Sequence, residues 1–386
     1  MKVVAFYLPQ YHTIPENDNW WGKGFTEWTN VKKAKKIFSW QSQPRIPLNK
    51  NYYNLDAEHE RTMRWQIDLA KKHGIYGFCF YHYWFKDGKK LLEKPVEKFL
   101  NDTSLDINFC LSWANEPWTR TWDGGNKEVI MPQEYGNKKE WKEHYQYLRS
   151  FFLDKRYMRK DNMPIFVIYR PELISNLDEM LQYWQHLSKN DGFDGLYIIS
   201  QGSVYGTTKK RSKMINTYIL YEPGYTQAEY SVKRSNLLKK FIENPRLFLN
   251  IEWEKAKVLV SKIVKINIPE LTTYIFDYDL FWKHIVTRRY IDNSIIPGAF
   301  CDWDNSPRRG SRGSRIFKGA SPKKFEKYFE LLVKKTKNET TQDMIFINAW
   351  NEWAEGTYLE PDNENECRYL QAVYNGLKKN DEFPLY

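Results

Sequence analysis

The sequence predicts an α/β protein, a single (β/α)8 TIM-type barrel with long loops at the C-terminal ends of its strands. Three observations predict it. Eight short apolar runs recur along the 386 residues, amphipathic stretches separate them, and clusters of carboxylates with tryptophan and tyrosine follow the runs. The runs are VVAFYLP (3–9), GIYGFCFYHYWF (74–85), INFCLSWAN (107–115), PIFVIYRP (164–171), GLYIISQGS (195–203), NTYILYEP (216–223), IIPGAFCDW (295–303) and MIFINAW (344–350). Such near-continuous apolar strands suit a parallel sheet buried on both faces. The stretch DAEHERTMRWQIDLAKKHG (56–74) reads as a helix that stops on Lys71, Lys72, His73 and Gly74, cations followed by a glycine. SPKKFEKYFELLVKKTK (321–337) reads as another, and 228–294 as the largest insertion, itself helical. A doubly wound nucleotide fold would want a glycine-rich turn after the first strand, and YLPQYHTIPEND has no glycine. No linker, low-complexity segment or repeat divides the chain, so one catalytic domain over 1–386 is expected.

Composition narrows the function classes. Aromatic content is 17%, with 16 Trp and 27 Tyr, and several tryptophans lie in polar company: Trp20, Trp21, Trp28, Trp113, Trp118, Trp122, Trp303, Trp350 and Trp353. Packing accounts for most of the aromatics, while those in polar company suit stacking on sugar rings. The net charge of +11 favours acidic partners. KKAKK (32–36) and KKRSK (209–213) read as solvated faces, and no nucleic-acid motif accompanies them. Cys79, Cys110, Cys301 and Cys367 are widely spaced without metal-ligand spacing, which points to free thiols and a reducing compartment. The N-terminus lacks a secretory pattern and no run is long enough to span a membrane, so a cytoplasmic protein is expected. Nothing in the sequence suggests an organic cofactor, and the seven histidines show no zinc spacing, so neither cofactor nor metal is expected.

Barrel active sites form from the loops that follow the strands. Read that way, the candidate residues are His12 after strand one, Tyr81 and His82 ending strand two, and Trp113, Asn115, Glu116 and Trp118 at strand three. Arg170 ends strand four, Glu222 follows strand six, and Asp302 and Asp304 follow strand seven. NAWNEWAEGTYLEP (348–361), after strand eight, sets Glu352 and Glu355 three residues apart beside Trp350, Asn351 and Trp353. If the backbone turns helically there, the two Cβ atoms lie roughly 5–6 Å apart. That suits the carboxylate spacing of a retaining glycosidase, about 5–5.5 Å, better than the roughly 6.5–9.5 Å of an inverting one. Two like charges so close also push one pKa upward, as a general acid requires. A strand-end turn whose glutamates cap amides or pair with cations is the plain structural alternative.

Several segments carry a resemblance over nearly the whole chain and in the same order. FYLPQYHTIPENDNWWGKGFTEWTNV, with its Trp28, then QPRIPL, YGFCFYHYWF, LSWANEPWTRTWDG, WDNSPRRG and NAWNEWAEGTYLEPD resemble the WbsX-type glycosyltransferase group, also described as glycoside hydrolase family 99-like. The resemblance implies a (β/α)8 barrel acting on glycans, often in polysaccharide or lipopolysaccharide assembly. Family 99 enzymes are endo-acting α-mannosidases whose catalytic pair lies in a similar W-N-E-x-x-E-G segment. Carried over by position, Glu355 becomes the general acid/base. Glu352 becomes the base that draws the proton from the sugar's 2-hydroxyl, giving retention through a 1,2-anhydro intermediate. The chain departs from those enzymes at Ala354, where they often carry histidine, and in its N-terminal loops.

Another large glycosidase clan also presents its acid/base as Asn-Glu-Pro, but at the fourth strand. Here Asn115-Glu116-Pro117 ends the third, so Glu116 is expected to bind hydroxyls between Trp113 and Trp118. A nucleotide-sugar transferase would hold its diphosphate through a metal on an Asp-x-Asp pair or through cations. Two such pairs occur, Asp277/Asp279 and Asp302/Asp304. SPRRGSRGSRIFKG (306–319) follows strand seven, where barrels often bind phosphate. Arg308, Arg309, Arg312 and Arg315 are expected to meet an anionic or phosphate-bearing part of an oligosaccharide or polysaccharide substrate, with a mobile solvated loop as the alternative. Three readings result: a retaining mannosidase-like hydrolase first, a surface-polysaccharide glycosyltransferase second, and a non-catalytic glycan binder third.

Overall fold

The computed structural model describes residues 1–120, 128–202, 212–230, 237–290 and 292–384. Trp122 and residues 209–211 of the KKRSK segment lie outside them. Eight parallel strands form the barrel: β1 (Lys2–Tyr7), β2 (Ile75–Trp84), β3 (Asn108–Trp113), β4 (Met163–Ile168), β5 (Tyr197–Gly202), β6 (Thr217–Leu220), β7 (Gly298–Phe300) and β8 (Met344–Asn348). Their order around the sheet is β6-β5-β4-β3-β2-β1-β8-β7. The circle closes between β6 and β7. There the Leu220 N–H donates to the Ile296 carbonyl (2.9 Å) and the Ile296 N–H to the Tyr218 carbonyl (3.0 Å).

Each strand lies at its sequence-predicted place, but most end two or three residues earlier. Apolar and aromatic character runs on into the loops, and only the ladder partner tells where pairing stops. Residues of β1 from Val3 to Tyr7 are fully buried, as a two-faced strand requires. Helices α1 (His59–Lys72), α2 (Lys94–Asn101), α3 (Lys138–Phe152) and α4 (Leu177–Asn190) follow the first four strands. The insertion after β6 carries a short helix Leu237–Glu243, α5 (Pro245–Ile263) and α6 (Tyr278–Thr287). Helices α7 (Pro322–Glu339) and α8 (Arg368–Lys378) complete the ring. No helix among the described residues is long and apolar enough to cross a membrane. Three of the four free cysteines are buried, and the lysines of KKAKK are exposed.

The closing seam depends on one glycine. A Cβ on Gly298 would stand 1.9 Å from the Leu220 carbonyl oxygen, which is backbone and cannot rotate away. Gly298→Ala must therefore spread β6 from β7, an overpacking cost of about 3 kcal/mol. Urea denaturation should show a lowered midpoint. An unchanged midpoint would mean that the seam does not hold the barrel shut.

Candidate active site

The hairpin after β8 sets the site. Asn351–Glu352 pairs antiparallel with Thr357–Tyr358, and between them runs a single 3-10 turn, Trp353–Glu355. The expected helical turn is thus a 3-10 turn, in which residues three apart nearly eclipse, so Glu352 and Glu355 share a face. Gly356 closes it at φ 67°, where a Cβ would also stand 2.8 Å from the Asp304 backbone nitrogen. The Asp304 N–H donates to the Glu355 carbonyl (2.7 Å), bolting this hairpin to the loop after β7.

One buried guanidinium joins the carboxylates. Arg308 Nη2 donates to Glu352 (3.0 Å), Nη1 to Glu355 (2.5 Å) and Nε to Glu27 (2.8 Å). Three carboxylates share one cation in a place nearly closed to water, so they cannot all remain ionised. Burial first, then the Glu355 charge, pushes Glu352 up to about 8, against the pull of Arg308. Burial likewise raises Glu27. With its carboxyl pushed that high, Glu352 favours the protonated form at neutral pH.

Both glutamates open into a cleft of about 560 Å3 at the C-terminal end of the barrel, the size of a ligand site. Tyr81, Tyr83, Tyr169 and Tyr221 line it with Trp118 and Trp303, and Glu116, Arg308, Arg309 and Arg315 supply charge. Tyr81 and Tyr221 are joined hydroxyl to hydroxyl (3.0 Å). Burial raises the Glu116 carboxyl, with the Arg170 guanidinium, its ion-pair partner, opposing. Arg309 and Arg315 have no side-chain partner for their guanidinium groups among the described residues. Desolvation and then the charge of Arg315 lower Arg309, and both cations line the cleft.

Of the sequence-predicted residues, the cleft brings together Glu352, Glu355, Tyr81, Glu116, Trp118, Trp303, Arg308, Arg309 and Arg315. Most of the others sit behind its wall, held by protein groups, although the buried His12 Nε2 has no hydrogen-bond partner among the described residues. Trp28 and Trp113 are buried, their indoles donating to the Tyr53 carbonyl (2.8 Å) and the Trp84 carbonyl (3.0 Å). Asn115 clamps the Arg170 backbone from both sides (2.8 and 2.7 Å), while Arg170 itself bridges Glu116 and Glu172. His82 is stacked in the core and shares a 2.8 Å contact with His144; burial lowers it to about 3. His12 lies against the Pro9 carbonyl (3.0 Å) and is lowered to about 4, mainly by burial. Glu222 accepts from Arg288 (2.8 Å), Asp302 from Arg45 (2.7 Å), and Asp304 from Gln41 (2.9 Å) and Gln43 (3.0 Å). Asp277 caps α6 through the Leu280 N–H (2.8 Å) and Asp279 pairs with Lys324 (2.5 Å). Arg312 leans on Asn267 (3.2 Å) outside the cleft.

Trp350 and Asn351 hold the floor. Asn351 accepts from the Leu8 N–H (2.7 Å) and donates to the Leu8 carbonyl (3.0 Å), tying the hairpin to the end of β1. The indoles of Trp350 (3.1 Å) and Trp353 (2.6 Å) donate to Glu360, which also accepts from Gln66 (2.6 Å) and Tyr53 (3.0 Å). Burial raises Glu360 to about 7 against these four donors. Sequence reasoning missed Glu27 and Glu360. Each stands inside a quoted segment, GFTEWTN and TYLEPD, but neither follows a strand directly.

Comparison with known proteins adds to this geometry. The solved structure of the glycoside hydrolase family 99 endo-α-mannosidase from Bacteroides thetaiotaomicron superposes with a TM-score of 0.54 at 12% identity, covering 98% of this chain and 97% of that one. A structure described as a glycoside hydrolase-like protein gives a TM-score of 0.55 at 14% identity, covering 100% and 94%. At such identities the likeness is one of fold, a TIM-barrel enzyme fold. The uncharacterized protein WxcX of Xanthomonas campestris pv. campestris (strain B100) is 32% identical over 379 residues, 98% of this chain and 50% of its own length. The chain thus spans about half the length of the curated relatives it matches. The family profile described as Glycosyltransferase WbsX matches residues 3–373, and the chain belongs to that glycosyltransferase family.

Proposed function

We propose that the cleft breaks a glycosidic bond with retention of configuration, using Glu352 and Glu355, on a mannose-configured glycan. The observation that carries this is the carboxyl pair, bridged by the one Arg308 guanidinium, with burial and the Glu355 charge holding Glu352 well above the usual carboxyl range. In the first step the Glu352 carboxylate removes the proton of the sugar's 2-hydroxyl, whose oxygen attacks the anomeric carbon. The glycosidic oxygen leaves with the proton of Glu355. In the second step the Glu355 carboxylate takes a proton from the incoming hydroxyl, which opens the 1,2-anhydro ring, and Glu352 returns its proton to O2. The reacting tautomer has the proton on Glu355, whereas Glu352 favours the protonated form in the free protein, so substrate must draw the proton across. Water as acceptor gives hydrolysis; a sugar hydroxyl gives transfer.

The transferase reading has its own support in the family and in Arg309 and Arg315, two arginines without side-chain partners among the described residues. Arg308 is consumed by carboxylates, so the anionic part of a substrate falls to Arg309 and Arg315. A phosphate, pyrophosphate or acidic sugar there suits their forked donors.

Product analysis by mass spectrometry decides between the two. The protein is incubated with α-mannose oligosaccharides, with and without nucleotide sugars. Shortened fragments mean hydrolase, lengthened chains mean transferase, and Glu355→Gln should lower either by roughly 10²–10⁴-fold. A fully active Glu355→Gln would sink the assignment.

The pH profile follows from the raised carboxyl. Below about 8 Glu352 keeps its proton, and above it that acid is lost. Turnover should fall as pH rises through about 8; a rate still climbing there would show that the pair supplies no acid.

Removing Arg309 or Arg315 as Ala should raise KM for a phosphorylated or acidic glycan about tenfold, with little change for its neutral counterpart. Equal effects on both substrates would remove the anion-binding role.

A further inference from the structure

The insertion after β6 exposes apolar side chains where a folded surface should be polar. Helix α5 buries Leu247, Ile251 and Val258 against the protein. On its opposite face Leu249, Trp253, Val260 and Ile263, spaced four, seven and three residues apart, form a second stripe. They are 56%, 68%, 52% and 71% exposed. The stripe continues into Val264, Ile266 and Ile268 beyond the helix and into Leu238 and Ile242 on the short helix before it, all exposed. A surface helix normally carries one apolar face, so the second awaits an occupant.

Charge identifies the occupant. Around the stripe stand Arg246, Lys262 and Lys265, none with an acidic partner among the described residues. Beside them a hollow of about 450 Å3 is lined by Lys262, Lys265, Arg309 and Arg312 with Val258 and Ile266. Aliphatic side chains and a tryptophan interleaved with unpaired lysines suit the headgroup level of an anionic bilayer. Protein interface cores, in contrast, are depleted in lysine. A second copy fits poorly, because a two-fold contact sets the basic rim of one chain against the same rim of the other, on a chain of net charge +11.

We propose that this helical insertion docks the protein on an anionic lipid bilayer, with the cleft mouth held at the membrane surface. The insertion is bonded directly to the arginine loop. Gly313 N–H donates to the Thr272 carbonyl (2.9 Å), Tyr274 N–H to the Ser314 carbonyl (2.9 Å), and Tyr274–Asp277 pairs with Arg315–Lys318 as parallel strands. Arg309 lines both the cleft and the basic hollow. This inference goes beyond the proposed reaction and does not rest on it.

Flotation with vesicles tests it. The protein should rise with phosphatidylcholine vesicles that contain phosphatidylglycerol, not with phosphatidylcholine alone, and less at high salt. Trp253→Glu and Ile263→Glu, each exposed and so harmless to folding, should weaken binding about tenfold or more. Lys262→Glu with Lys265→Glu should abolish the preference for the anionic lipid. Activity on a soluble substrate should stay unchanged in all of them. Failure of the unaltered protein to float, or binding indifferent to these substitutions, would overturn the proposal. So would a dimer in sedimentation velocity that Ile263→Glu splits, which would assign the face to a second copy.

Discussion

The Arg308 guanidinium is the interaction on which the site depends. It lies among Glu27, Glu352 and Glu355 with almost no access to water. A buried charge is tolerable only with partners and hydrogen bonds, and here three carboxylates meet the three donor edges of one fork. The arrangement also over-supplies negative charge, which adds to burial in raising Glu352. Without Arg308, three buried carboxyls would face one another, and each would prefer to be neutral. With it, the guanidinium opposes the upward push that burial and the Glu355 charge exert on Glu352. The cation therefore sets both where the glutamates point and how far Glu352 is raised.

A second buried carboxyl explains why Trp350 and Trp353 are not binding surfaces. Glu360 collects the indole N–H groups of Trp350 and Trp353, the Tyr53 hydroxyl and the Gln66 amide. Four donors without a cation hold a group that burial pushes toward neutrality. The rings themselves fill space beneath the hairpin, with Trp353 stacked on Tyr358 at 3.8 Å between centroids. The aromatic side chains that do line the cleft are the tyrosines of its wall with Trp118 and Trp303.

The barrel was legible because two-faced strands read as apolar runs and alternate with amphipathic stretches. The pair Glu352/Glu355 was legible because a short spacing implies proximity whatever the rest of the chain does. Roles of the other strand-end carboxylates were not. Glu222, Asp302 and Asp304 have the same local signature as a ligand-binding residue, and what distinguishes them is a partner far off in sequence: Arg288, Arg45, Gln41. Glu27 meets Arg308 across 281 residues, and no window of the sequence contains both. His12 and His82 follow the same logic, since a histidine near a strand end can face inward or outward and only burial tells which.

The charges that are left over have a direction. Deep in the cleft the carboxyl pair carries net negative charge, offset by a single fork. Toward the rim stand Arg309 and Arg315, without side-chain partners among the described residues, and past them the basic hollow beside α5. A neutral sugar carrying an anionic group at one end has one favourable orientation in that field, with the sugar inward at the glutamates and the anion outward at the arginines. Reversal would bring the anion against Glu352 and Glu355 and leave the two arginines uncompensated. If the anion is itself attached to lipid, the same orientation leads its tail toward the exposed stripe of Leu249, Trp253, Val260 and Ile263. The loop after β7 is thus the hinge of the arrangement. It supplies Arg308 to the carboxyls and Arg309 to the rim from adjacent positions, and its strand Arg315–Lys318 is paired to the insertion that carries the apolar face.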